Sequence, residues 1–291
     1  LLRSALRSVA ARPPKSIPPP CVPRRGMVAV LSMFRSNLYR LVRTVATWGS
    51  LAAFVATIVL LAAIFYAMSD NALGDLMMEY LGEGPVTCYA VFGETFVSGS
   101  LLGIFAVGAC SVFFVRDFEK GFIKNLMQIR GGRASYAVAA LLTTLVICAA
   151  YLTVAMLVTE LAFNLFLFKG AVGLPPLPDL LVWFAQTLLV TLAYAVITLF
   201  VALLTRSNVC GTVAAILLPS GALENVLQMV LANLFPSFPP LRDCLDGSLS
   251  VLYGMLSSGP VPGTQLYLTT GMVIVVAFVA CVVAMVRKDV K

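Results

Sequence analysis

The chain has 291 residues, of which 60% are hydrophobic and 11% are charged, with a mean hydropathy of +0.97 and a net charge of +7. This composition lies far outside the range of soluble globular domains and excludes that class. In a soluble protein the positive charge would suggest nucleic acid. Here the basic residues cluster at the ends of long apolar runs, so no nucleic-acid partner is expected. The composition predicts an all-α integral membrane protein.

Residues 1–26 are rich in Arg, Ser and Pro, contain no acid, and are expected to be a disordered extension outside the fold. Three interpretations stay open: translation from upstream of a start at Met27, a flexible cytoplasmic tail, or an organelle presequence, which has this kind of composition. The apolar region and cleavage site of a secretory signal are missing. Residues 27–291 are then expected to form a single transmembrane domain.

From Met27 to Arg43 apolar residues recur at helical spacing, with three arginines among them. This pattern predicts an amphipathic helix at the membrane interface, although the segment is also consistent with the cytoplasmic end of the first span.

Six apolar runs of about 18 residues or more follow, each long enough to cross about 30 Å of hydrocarbon as a helix. They predict spans at Thr44–Met68, Phe96–Val115, Tyr136–Leu157, Leu180–Leu204, Val209–Leu234 and Gln265–Val286.

The basic residues divide unequally between the two sides of this map. One side has only Lys169 and Arg242. The other side has Arg35, Arg40, Arg43, Arg116, Lys120, Lys124, Arg130, Arg133, Arg206, Arg287, Lys288 and Lys291. Because cytoplasmic loops of membrane proteins are the basic ones, we expect a multi-pass protein of the cytoplasmic membrane with both termini inside.

The segment between the second and third spans, Arg116–Arg133, is the most polar part of the transmembrane region. On a helical wheel its apolar residues Phe118, Phe122, Leu126 and Ile129 fall within one arc, and Lys120, Lys124 and Gln128 fall opposite. A helix of about three turns is not stable alone in water, so this arc needs a membrane surface or a partner protein.

Groups that carry catalysis are missing from the sequence. It contains no histidine, which removes histidine bases and most transition-metal sites, and no P-loop for ATP. We therefore expect no enzyme activity, no cofactor and no metal.

Two places within the predicted spans carry candidate pathway residues. In the second span Gly99 and Gly103 form a GxxxG pattern, which permits packing within the bundle, a dimer face or a pathway lining. In the fifth span Glu224 follows Pro219. An acid there should face protein, water or a break in the helix, or else the span is two shorter helices with Glu224 near the outer interface.

Two cysteines, Cys88 and Cys244, are predicted to lie in the long external loops, one in each. An oxidising exterior would permit a disulfide between them, and two free thiols are the alternative.

The order of these parts resembles the permease subunit of a type-2 ABC transporter, especially the bacterial permeases of bacitracin and lantibiotic export or immunity. The resemblance covers Met27–Lys291 and rests on a basic amphipathic stretch at Leu38–Arg43, the RDFEKGFIKN block at Arg116–Asn125, the RASY sequence at Arg133–Tyr136 and a basic tail at Arg287–Lys291. The RDFEKGFIKN block is the most specific of these features.

The resemblance implies an exporter of an amphipathic or hydrophobic substrate, such as an antimicrobial peptide, a drug or a lipid-like molecule. It implies a separate ABC ATPase subunit, a second permease copy, and a coupling helix between spans 2 and 3. Its coupling residues would be Phe118, Glu119, Lys120, Phe122, Ile123, Lys124 and Leu126. The alternative from a different class is a self-contained channel or ion-coupled transporter that uses Glu224 or Glu160.

Overall fold

The structure, a computed structural model, describes residues 25–69, 92–98, 100–119, 132–165, 176–205, 207–234 and 247–287. These residues are 90% helical and contain no strand, which confirms the all-α class. A π-helix, Gly93–Ser98, precedes the third of the α-helices. The α-helices in these ranges are α1 Arg25–Arg43, α2 Val45–Ser69, α3 Leu101–Glu119, α4 Gly132–Phe163, α5 Leu177–Thr205, α6 Asn208–Leu217, α7 Ala222–Leu234, α8 Leu249–Met255 and α9 Gln265–Arg287.

Four of these helices are long and apolar enough to cross a membrane. Their apolar stretches are Val45–Ile64 in α2, Ala134–Ala162 in α4, Leu177–Thr205 in α5 and Gln265–Met285 in α9. They match the predicted first, third, fourth and sixth spans. The second and fifth predicted spans contain shorter helices, of which Leu101–Arg116 in α3 is apolar throughout most of its length.

Helix α5 is the centre of the bundle. It packs against α3, α4, α6 and α9. In its apolar stretch 67% of the residues are buried, against 17% in α2 and 22% in α9, so the two outer helices present most of their surface to the surroundings. Their exposed side chains, such as Leu60 and Val276, are apolar, as lipid contact requires.

Helices α3 and α6 run antiparallel and approach each other closely at two glycines. A Cβ added at Gly211 would lie 2.3 Å from Ser111 Oγ, and one added at Gly103 would lie 2.7 Å from Pro219 Cβ. Small residues at such contacts let helix backbones pack closely in a membrane. The direction of the pair places Pro219 near the start of α3, at the opposite end from Arg116.

Helix α1 is a separate element, divided from α2 by the single non-helical residue Thr44. It packs along α4, buries Asn37 and contacts the core through Leu41. Leu31, Tyr39 and Val42 remain exposed. This arrangement agrees with the predicted amphipathic helix ahead of the first span.

Candidate functional site

The predicted fifth span is interrupted, because α6 ends at Leu217 and α7 begins at Ala222. Pro219 lies in the interruption and has no N–H to continue a helical ladder. Gly221 follows with φ at +67°, a conformation that side-chain-bearing residues rarely adopt. The predicted fifth span therefore contains two shorter helices, and the position of Glu224 relative to the membrane stays a prediction.

The break lies against the start of α3 and against helix α8. Pro219 meets the backbone of Gly103, and the same added Cβ at Gly103 would be 3.7 Å from the Tyr253 hydroxyl oxygen. We call this site the break cluster. It comprises Gly103, Tyr194, Pro219, Glu224, Ser250 and Tyr253.

The carboxylate of Glu224 joins α7 to α8. Its Oε2 accepts hydrogen bonds from the Ser250 backbone N–H, at 3.2 Å, and from the Ser250 hydroxyl. Glu224 is half-buried at this contact. The acid therefore faces protein rather than lipid, as the insertion cost of a charge predicts.

Two tyrosines fill the interior of the break cluster with hydroxyls that have no hydrogen-bond partner among the described residues. Their rings meet edge to face at 5.9 Å, and both side chains are almost fully buried. The Tyr253 hydroxyl lies near Thr191 without reaching hydrogen-bond geometry. Burial raises the pKa of the Tyr253 phenol, so that its hydroxyl stays protonated and able to donate.

Residues 247–264, which include α8, are held at the same end of the bundle by α5. Trp183 donates its Nε1–H to the Leu256 carbonyl at 2.7 Å. The Gln186 amide donates to the Val261 carbonyl at 2.8 Å and accepts from the Val261 N–H at 2.9 Å. These bonds fix the position of Tyr253 and Ser250, because the segment that carries them is anchored at both Leu256 and Val261.

The π-helix closes the other side of this segment. A Cβ added at Gly93 would come within 2.1 Å of the Ser257 carbonyl oxygen, so only glycine fits between the two backbones. Phe92 packs edge to face on Trp183 at 5.6 Å. Together these contacts bury Leu252 and Leu256 in the main core.

The structure brings three of the four predicted pathway residues together, namely Gly103, Pro219 and Glu224. Gly103 packs within the bundle, one of the roles that the GxxxG pattern allowed, and Gly99 lies outside the described residues. Glu160 is not part of this cluster. It is half-buried near the end of α4, where its Oε1 accepts a hydrogen bond from Asn164 Nδ2 at 3.2 Å.

Other predicted residues fall where the structure gives no description. Helix α3 continues through Phe118 to Glu119, so these two positions lie in the last turn of α3 rather than in a separate helix. The rest of the coupling segment, with Lys120, Phe122, Ile123, Lys124 and Leu126, lies outside the described residues. The predicted disulfide partners Cys88 and Cys244 do so as well.

Sequence reasoning missed Tyr194, Tyr253 and Ser250 as members of the site. Tyrosine and serine are unremarkable in an apolar run or a loop, and their partners are far away in the chain. The stronger signal was Gln186, an amide in the middle of an otherwise apolar span, since such a group needs a partner inside the membrane.

Among the described residues no group of three or more His, Cys, Asp or Glu is placed to hold a metal ion. The fold and the break cluster define an all-helical membrane protein with a polar site in its bundle. No protein-family model matches the chain, and no curated protein is significantly similar to it.

Proposed function

We propose that the chain is the membrane-spanning permease subunit of an ATP-driven ABC exporter. It moves an amphipathic or hydrophobic substrate across the cytoplasmic membrane and takes its energy from a separate ATPase subunit. In this proposal α2, α3, α4, α5, the broken pair α6–α7 and α9 are the six spans, and both termini are cytoplasmic.

The observation that supports this proposal best is the break cluster. Buried hydroxyls without a partner among the described residues are costly in an apolar bundle, and a state in which they gain partners would offset that cost. A substrate that crosses between α3, α5 and the α6–α7 break would supply those partners. The hydroxyls of Tyr194 and Tyr253 suit a cargo that is mainly apolar with a few polar groups, because most of the surrounding surface is apolar.

The energy-coupling part of the proposal rests on the basic amphipathic segment after α3. Its apolar arc would dock in a groove of the ATPase, while α3 leads directly from that segment to Gly103 in the break cluster. Movement of the segment on ATP binding would then shift α3 against α6. Two permease copies would enclose the transport path.

Phe122→Asp tests the coupling role. Burial of one Phe contributes about 1.5–3 kcal/mol, and a charge in its place adds a desolvation cost, so binding of the ATPase subunit should weaken at least about tenfold. Pull-down of the ATPase by the tagged permease, and transport in proteoliposomes that contain both proteins, measure this. Lys124→Gln on the opposite arc is the matched control and should have a much smaller effect.

Normal ATPase binding and transport by Phe122→Asp would contradict the coupling role. The ion-coupled alternative makes a different prediction in the same proteoliposomes. Transport driven by a proton gradient without ATP, and abolished by Glu224→Gln, would replace the exporter with a self-contained transporter.

A further inference from the structure

A cavity of about 120 Å³ lies between the start of α2 and the end of α3, at the opposite end of the bundle from the break cluster. One face of α3 contributes Gly108, Val112 and Arg116 at four-residue spacing. The described residues that line the cavity are Thr44, Ala46, Thr47, Ser50, Gly108, Ala109, Val112, Phe113 and Arg116. This volume approaches that of the roughly 150 Å³ cavity known to accept benzene, so it accommodates a small chemical group.

Small residues keep this space open. A Cβ added at Gly108 would meet no atom within 4 Å, which shows that the glycine faces empty space rather than a close neighbour. The inner end is closed by a 2.6 Å hydrogen bond between the Ser50 and Tyr151 hydroxyls. At the other end Thr44, Thr47 and Arg116 are half-buried, so that the cavity is accessible there.

The polar groups of the cavity suit an anion. Among the described residues that line the cavity, Arg116 is the one cation and none is acidic. Within the described part of the chain Arg116 forms no ion pair, and the Thr47 hydroxyl makes no hydrogen bond. By contrast, the Thr44 hydroxyl donates to the Arg40 carbonyl and the Ser50 hydroxyl donates to the Thr47 carbonyl. Arg116 and Thr47 are therefore the donors available to a ligand.

Neighbouring side chains place the cavity at the membrane–water boundary. Trp48, which follows the lining residue Thr47 in the chain, and Tyr39, which precedes Arg40, are both more than half exposed. Trp48 donates its Nε1–H to the Val42 carbonyl at 2.7 Å. Exposed tryptophan and tyrosine are typical of the headgroup level of a bilayer. The Arg40 guanidinium lies 5.5 Å from the centre of the Phe113 ring, at the rim of the same cavity.

We propose that this cavity binds the phosphate of an anionic phospholipid from the surrounding bilayer. Arg116 and Thr47 hold the phosphate oxygens, and the apolar wall of Ala109, Val112 and Phe113 receives the start of an acyl chain. An anionic headgroup fits better than a zwitterionic one, because the described lining offers a cation and no acid to pair with an ammonium group. This inference does not depend on the exporter proposal, since any membrane protein with this cavity would bind lipid in the same way.

Native mass spectrometry of the purified full-length chain, titrated with phosphatidylglycerol or phosphatidylcholine, tests the proposal. Phosphatidylglycerol should bind more tightly than phosphatidylcholine. Arg116→Gln should weaken phosphatidylglycerol binding about tenfold or more, whereas Arg116→Lys should retain most of it. Arg35→Gln, which removes an exposed arginine of α1 outside the cavity lining, is the matched control and should change nothing.

A second variant tests the cavity without changing its charge. Gly108→Leu fills the space and should reduce binding of phosphatidylglycerol, and Thr47→Val should do so if Gly108→Leu fails to fold. Equal binding of the two lipids, or unchanged binding in Arg116→Gln, would overturn the proposal. Displacement of the lipid by millimolar inorganic phosphate would overturn it too, because the site would then recognise a free anion.

Discussion

Two glycines of α3 have different structural roles, because a side chain would have space at one position and would clash at the other. Gly103 lies against Pro219, and Gly108, five residues further along, faces open space. The sequence presents them as equivalent small residues on an apolar helix. The difference appears only in the folded protein, where Gly103 lies at a close helix contact and Gly108 lies beside the cavity.

Gly103→Ala should destabilise the protein, while Gly108→Ala should be neutral or slightly stabilising. The first change places a methyl group 2.7 Å from Pro219 Cβ, and overpacking of this kind typically costs about 1–3 kcal/mol. The second replaces glycine in a helix interior without a clash, which is worth up to about 1 kcal/mol. Thermal unfolding of the two variants in the same detergent measures the difference. Equal midpoints would mean that α3 and α6 do not approach as described.

At the scale of elements, the 247–264 segment is the part of the fold that most depends on distant contacts. Its bonds to α5 join residues more than 70 positions apart, such as Trp183 and Leu256. Val261 gives and receives hydrogen bonds with one side chain, that of Gln186. A single side chain on α5 therefore holds the part of this segment around Val261, while Trp183 holds it at Leu256.

Gln186→Leu should release the segment. The Val261 N–H and C=O would lose their partner, and hydrogen exchange at residues 257–264 should become faster while the spans remain protected. Hydrogen–deuterium exchange with mass spectrometry measures this directly. Gln265→Leu, at an exposed position that begins α9, is the matched control. Similar exchange in the two variants would show that Gln186 does not hold the segment.

The sequence predicts best those helices whose apolar run is not interrupted. The fourth span was expected at Leu180–Leu204 and is observed as α5, Leu177–Thr205, because an unbroken apolar run of that length leaves few alternatives. The fifth span is predicted at Val209–Leu234, and the sequence leaves open whether it is one helix or two shorter ones. A run of apolar residues does not reveal whether such a break is kinked or complete, and here the positive φ of Gly221 ends the helix.

The break cluster was only partly predictable for a related reason. Glu224 stands out in any apolar segment, and Pro219 marks an interruption. Their partner Ser250 lies in a different helix, and nothing local to Ser250 or Tyr253 indicates that α8 returns to the start of α3. Tertiary packing alone brings these residues together.

At the scale of the whole molecule, two arginines beside the cavity between α2 and α3 can be compared with the predicted membrane orientation. Arg40 of α1 and Arg116 of α3 are distant in sequence and approach the same cavity, through the ring of Phe113 and through its lining. Helix α1 and the end of α3, which are both predicted to lie on the basic side of the membrane, therefore meet at one end of the bundle. The membrane orientation itself stays a prediction from charge.

Labelling of single cysteines in intact cells checks this orientation. A membrane-impermeant reagent should reach cysteines placed near Asp75 and Asp246 and should not reach one near Lys124, because the basic loops are expected to be cytoplasmic. Permeabilised cells are the control, in which all three positions should react. Labelling near Lys124 without permeabilisation would invert the map.

The shortness of α6 also has a consequence for how the protein is made. Ten residues of helix extend about 15 Å, roughly half of the hydrocarbon thickness, so α6 has little tendency to remain in a bilayer by itself. It packs against α3, where Gly211 meets Ser111, and against α5, and the ribosome has already made both of these helices by then. In the proposed six-span arrangement the fifth span is therefore added to helices that are already made, and a change in α3 that disturbs this contact should impair membrane integration of a segment made about a hundred residues later.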